Sequence, residues 1–121
     1  MILVDTSVWI EHLHKGCPEL VAILDDGGVL VHPVVIGELA CRSIRNRQEV
    51  LGLLAALPRA IVAENDEALA LIESKKLMDR GLGFIDVHLL ASTALTPEAR
   101  LWTRDRRLSV VASELGVAHS L

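Results

Sequence analysis

Four short apolar runs punctuate the chain: MILV (1–4), VLVH (29–32), AIVA (60–63) and ARLWT (99–103). Each reads as a short strand, and the stretches between them carry helical spacing and helical punctuation. Thr6 or Ser7 offers a cap for a helix to about residue 14. Pro18 opens PELVAILDD, which Gly27 and Gly28 stop, and Pro33 opens PVVIGELACRSI. Asn46 stands where a cap is expected before RQEVLGLLAAL, and Asn65 before a helix reaching about Arg80. Gly81 turns into IDVHLLASTAL, and RRLSVVASEL closes at Gly116. Strands alternating with helices predict an α/β fold with a mainly parallel sheet of about four or five short strands. The 121 residues suffice for one domain, 1–121, with a real core.

Acidic residues adjoin this apolar framework at four places: Asp5 after MILV, Glu38 within PVVIGELA, Asp86 within GFIDVHLLA and Asp105 after LWTR. A carboxylate near a core costs several kcal/mol, roughly 2–7 even for a neutral polar group, unless something compensates. In parallel sheets ligands bind beyond the carboxyl ends of the strands. Asp5 and Asp105 follow the first and last runs, and Glu38 and Asp86 fall on helices after crossovers, so all four can meet at one edge. Mutual repulsion there is relieved most simply by a divalent cation, and hard oxygen donors suit Mg²⁺ or Mn²⁺. Each acid also has an ordinary explanation. Asp5 could start a turn, Glu38 pair with Arg42, Asp86 sit at a helix N-terminus and Asp105 cap a helix.

Other chemistries find little support. Cys17 and Cys41 lack CxxC spacing, so neither zinc nor a dithiol motif is indicated. The five histidines are scattered, and His88, near Asp86, reads as a structural histidine. Ser7 and Ser92 lack a nucleophile-elbow context, and neither GxxxxGK[ST] nor GxGxxG occurs. A net charge of −4 and 2% aromatic residues disfavour binding nucleic acid by charge or base stacking alone. RNA contact would fall to Arg42, Arg45, Arg47 and the Arg104–Arg107 cluster. MILV is followed at once by Asp5 and the longest apolar run is LGLLAAL, so a soluble, cytoplasmic protein is expected.

MILVDTSVWIEHL, VVIGELA, GFIDVHLLASTAL and LWTRDRRL, in this order over nearly the whole chain, resemble the PIN-domain nucleases. Within them the chain looks like the VapC-type toxins of bacterial and archaeal toxin–antitoxin pairs. The resemblance implies a PIN-like three-layer sandwich and a metal-dependent endoribonuclease. It carries Asp5, Glu38, Asp86 and Asp105 onto the family's acidic quartet, which holds one or two Mg²⁺ or Mn²⁺ ions. Asp5 and Asp86 inherit the most direct contacts, and Glu38 and Asp105 act directly or through water. Thr103 matches the family's T-x-D pattern, and Thr6 and Thr103 are expected to support the ligands. An RNA substrate, a homodimer and a cognate antitoxin that occludes the acidic site are implied as well. Where many relatives carry a further polar or acidic residue after the third acid, this chain has His88 and Leu89. Two other readings stay open: a PIN-like scaffold that docks a partner without cutting, and a phosphatase using the D-x-D position, here Asp5-Thr6-Ser7.

Overall fold

The computed structural model describes residues 1–120. Its sheet has three parallel strands, β1 (Ile2–Val4), β2 (Val29–Leu30) and β3 (Arg100–Trp102), in the order β2-β1-β3. Single parallel bridges, Val31 with Arg59 and Leu101 with Ala118, add a lane at each edge. Leu3 and Val4 point to opposite faces of the central strand, and both are fully buried. Both faces of the sheet are therefore covered, as parallel sheets require. The cover is supplied by α1 (Thr6–Lys15), α2 (Pro18–Asp25), α3 (Pro33–Ala40), α4 (Arg47–Ala55), α5 (Asn65–Lys75), α6 (Phe84–Leu95) and α7 (Arg106–Glu114). None of these helices is long and apolar enough to cross a membrane.

The α/β expectation holds with fewer strand residues than the apolar runs suggested. AIVA is not a strand, because pairing on that side stops at the Val31–Arg59 bridge. Ala60 N–H still donates to the Val31 carbonyl at 3.1 Å, but beyond it two amides go to helix hydroxyls: Ile61 N–H donates to Thr96 Oγ1 at 2.9 Å and Ala63 N–H to Ser92 Oγ at 3.0 Å. VLVH yields only Val29–Leu30 because His32 and Pro33 begin α3. That helix ends at Ala40 rather than running through CRSI. The helix expected to reach about Arg80 stops at Lys75, where Lys76 turns left-handed at φ 54°.

Three caps also differ from expectation. Glu64, not Asn65, precedes α5, with its N–H bonded to Glu67 Oε1 at 2.9 Å. Asn46 precedes α4 in a left-handed conformation without a side-chain cap bond. Asp5, not Thr6 or Ser7, occupies the cap position of α1, yet its carboxylate does not cap. That carboxylate is engaged elsewhere, at the edge where β1 and β3 end. The register pairs Val4 with Trp102, and Asp5 N–H donates to the Trp102 carbonyl at 2.9 Å. Asp5 and Thr103 thus leave the sheet side by side.

Candidate active site

Asp5 is 7% exposed, and its Oδ2 accepts two hydroxyls, Thr103 Oγ1 at 2.7 Å and Ser7 Oγ at 2.8 Å. Each hydroxyl in turn accepts a backbone amide from the turn after β3. Arg104 N–H reaches Ser7 at 2.9 Å and Asp105 N–H reaches Thr103 at 3.0 Å. A hydroxyl has a single proton, so with both given to Asp5 the 3.3 Å approach of Ser7 to Thr103 is not a third bond of this set. Two relays therefore fasten the turn carrying Asp105 to Asp5. Asp105 itself caps α7 through Oδ1, which accepts from Arg107 N–H at 2.9 Å and Leu108 N–H at 3.2 Å. The ordinary explanation for Asp105 is thus correct as far as it goes, and it uses one carboxylate oxygen.

Glu38 comes from α3 and does not pair with Arg42. Its Oε1 accepts from Thr6 Oγ1 at 2.6 Å, which joins it to the residue after Asp5. Asp86 lies in the first turn of α6 and its Oδ2 accepts from Gly83 N–H at 3.0 Å. Burial raises the Asp86 carboxyl above its ordinary value against the lowering effect of the Gly83 N–H, and the charges of Asp5, Asp105 and Glu38 raise it further. Asp86 thus stands within electrostatic reach of the other three acids.

Each carboxylate spends one oxygen on a local partner, while Asp5 Oδ1, Glu38 Oε2, Asp86 Oδ1 and Asp105 Oδ2 accept no hydrogen bond among the described residues. As they stand, no three His, Cys, Asp or Glu side chains among the described residues are gathered closely enough to hold an ion. The donor chemistry nevertheless fits a hard divalent cation. The donors are all carboxylate oxygens, and a raised Asp86 means the site favours added positive charge. Residues 2–114 match the PIN domain. The chain belongs to the PIN-domain family. It is also 52% identical to Ribonuclease VapC32 of two Mycobacterium tuberculosis strains, CDC 1551 / Oshkosh and ATCC 25618 / H37Rv. Each match spans 118 residues, 98% of this chain and 95% of the relative. The resemblance to VapC-type PIN toxins read from the four segments is thereby borne out.

The neighbours of the PIN site sort clearly. His88 takes no part in the acidic group: its Nε2 lies 2.9 Å from Asn65 Oδ1 and its ring meets Phe84 edge-on. Of the arginines expected to meet RNA, Arg104 is held by Glu11 at 2.8 Å and lies over the Trp102 ring. Arg47 is tied to the Ala40 carbonyl. Arg106 and Arg107 are exposed and, with Arg80, border a cavity of about 240 Å³. Gly81, at φ +80°, makes room for Arg107, since a Cβ there would lie 2.6 Å from Arg107 Cδ. Arg42 and Arg45 are exposed and line a separate cleft against α1. The support that Ser7 gives Asp5 was missed by sequence reasoning, which weighed Ser7 as a capping hydroxyl, as a nucleophile lacking an elbow and as part of a D-x-D position. Its signal was present in the D-T-S that follows the first strand.

Proposed function

We propose that this PIN domain is a Mg²⁺- or Mn²⁺-dependent endoribonuclease and the toxin of a VapBC-type toxin–antitoxin pair. The observation that carries the reading is the raised carboxyl of Asp86, a part-buried acid that feels the charges of Asp5, Asp105 and Glu38, each of the four keeping one oxygen free of hydrogen bonds among the described residues. Its 52% identity to a protein called a ribonuclease supports the substrate class. Asp5 and Asp86 hold the metal directly, and Glu38 and Asp105 hold it directly or through water. Bound there, a divalent ion polarises the scissile phosphate and lowers the pKa of water.

The chain's own side chains supply orientation. Ser7 and Thr103 aim Asp5 by occupying its Oδ2, and Thr6 does the same for Glu38. Arg106 and Arg107, beside Asp105, take phosphates flanking the cleaved bond, which an overall charge of −4 otherwise repels. A homodimer and a cognate antitoxin complete the proposed assembly.

The test is cleavage of a mixed tRNA and rRNA pool with Mn²⁺ and then with EDTA, alongside Asp86→Asn. Discrete cuts that need the metal and vanish in the variant are expected, and equal cutting by the variant would overturn the site. The competing reading, a scaffold that docks a partner without cutting, draws on the local partner that each carboxylate already has. A melting midpoint unmoved by Mn²⁺ would favour it, because an ion that binds the native state raises the midpoint.

A further inference from the structure

Glu38 and Asp86 arrive on different helices, and one side-chain pair joins those helices behind the site. His32, two residues beyond β2, is 1% exposed and caps α3: its Nδ1 accepts from Val34 N–H at 3.1 Å. Its Nε2 lies 3.0 Å from Oγ of Ser92, a fully buried residue of α6. Ser92 Oγ also accepts from Ala63 N–H at 3.0 Å, so three chain segments meet at this joint.

The backbone decides the tautomer. Val34 N–H can only donate, so Nδ1 must present its lone pair, and a neutral ring then carries its proton on Nε2 and donates it to Ser92. An imidazolium would set Nδ1–H against Val34 N–H. Burial, aided by the charges of His88 on α6 and Arg59 of the segment after α4, lowers the His32 pKa to about 4. The ring is neutral at physiological pH. Val34 lies about one helical turn from Glu38, and Ser92 lies about 9 Å along α6 from Asp86. Stiff helices carry a displacement at the joint to both carboxylates.

We propose that His32 is a positioning residue for the acidic site: clamped between Val34 N–H and Ser92 Oγ, it sets the separation of the helices that carry Glu38 and Asp86. The proposal rests on the reading that these two acids serve one site.

Isosteres divide the clamp. His32→Asn places an acceptor near the Nδ1 position and keeps the cap but loses the tie to α6. His32→Gln places a donor near Nε2 and keeps the tie, and Ser92→Ala removes the tie from the other side. Three measurements are made on the whole chain at temperatures well below each variant's melting midpoint. They are the imidazole tautomer by ¹⁵N NMR, the Glu38–Asp86 separation in crystals, and Mn²⁺ affinity together with kcat and KM for RNA. The expected result is an Nε2–H ring in the wild type. In His32→Asn and Ser92→Ala we expect a changed separation, with Mn²⁺ affinity and kcat each lowered on the order of 10-fold. KM should stay nearly constant, and His32→Gln should recover most of the loss. An Nδ1–H ring would overturn the proposal, as would variants that melt earlier yet keep the carboxylate separation, Mn²⁺ affinity and kcat. If the wild type neither binds Mn²⁺ nor cuts RNA, the nuclease reading fails by itself, and the tautomer and the crystal separations still decide the clamp.

Discussion

The two halves of the acidic site are built differently. Asp5 and Asp105 are interlocked: two hydroxyls and two backbone amides connect them, and Asp105 also caps α7. Glu38 and Asp86 each have a single hydrogen-bond partner among the described residues, Thr6 or Gly83, and the His32–Ser92 pair ties the start of one helix to the other behind the site. The first half sits on a strand end and a turn that the sheet already holds. The second half depends on how two helices are spaced. Preorganisation is therefore local in one half and borrowed from distant packing in the other, and the two should fail in different ways.

The largest contrast is expected from charge removal. Asp5→Asn and Asp86→Asn should each lower RNA cleavage by more than about 100-fold in a gel-based rate assay. Their stabilities should diverge. Without metal, Asp86→Asn should melt higher than the wild type, because it removes a half-buried charge that three other carboxylates repel. Asp5→Asn should not, because it weakens the acceptor on which both relays converge. Equal melting shifts would erase the distinction between the halves.

Acid should next divide the helix-borne half from within. The folded His32 pKa of about 4 lies below the roughly 6.5 of an unfolded histidine, so the unfolded chain binds the extra proton first. Its contribution is complete above about pH 6.5 and is lost as pH falls towards 4, on the order of 3 kcal/mol in all. Asp86 acts in the opposite sense. Its raised pKa means the folded state takes up the proton first, so the fold gains stability as pH falls through that value. Urea melts at a series of pH values should show stability rising less steeply with pH in His32→Asn between about pH 4 and 6.5, and should lose the opposing gain on acidification in Asp86→Asn.

Smaller effects sharpen the picture within the interlocked half. Thr103→Val removes one relay at nearly constant shape and leaves Asp105 N–H without its acceptor, at a cost of about 1–3 kcal/mol. Combined with Ser7→Ala in a double-mutant cycle, the losses should be non-additive by at least about 0.5 kcal/mol, because both hydroxyls serve one oxygen. Arg104→Gln should change least, within about 1 kcal/mol, since its pair with Glu11 is partly open to solvent.

The sequence made the acids legible because each interrupts or adjoins an apolar run, and it made the helices legible through proline, glycine and spacing. AIVA misled because its apolar composition suits a strand, whereas the residues that claim its amides, Ser92 and Thr96, lie some thirty residues further along. Ser7 and His32 escaped for the same reason. Their roles are set by the Arg104 amide and Ser92, partners that only the folded chain brings near. Local signals report local bonds, and the orientation of this site is mostly long-range.

The order of the sheet has a consequence for synthesis. The first strand made, β1, is the central one, and its second neighbour is not translated until residues 100–102. Asp5 gains its hydroxyl from Thr103 and its acidic companion Asp105 only after that. A growing chain therefore holds three of the four carboxylates before β3 and its turn can join them. The acidic group is thus complete only once residues 100–105 have been made.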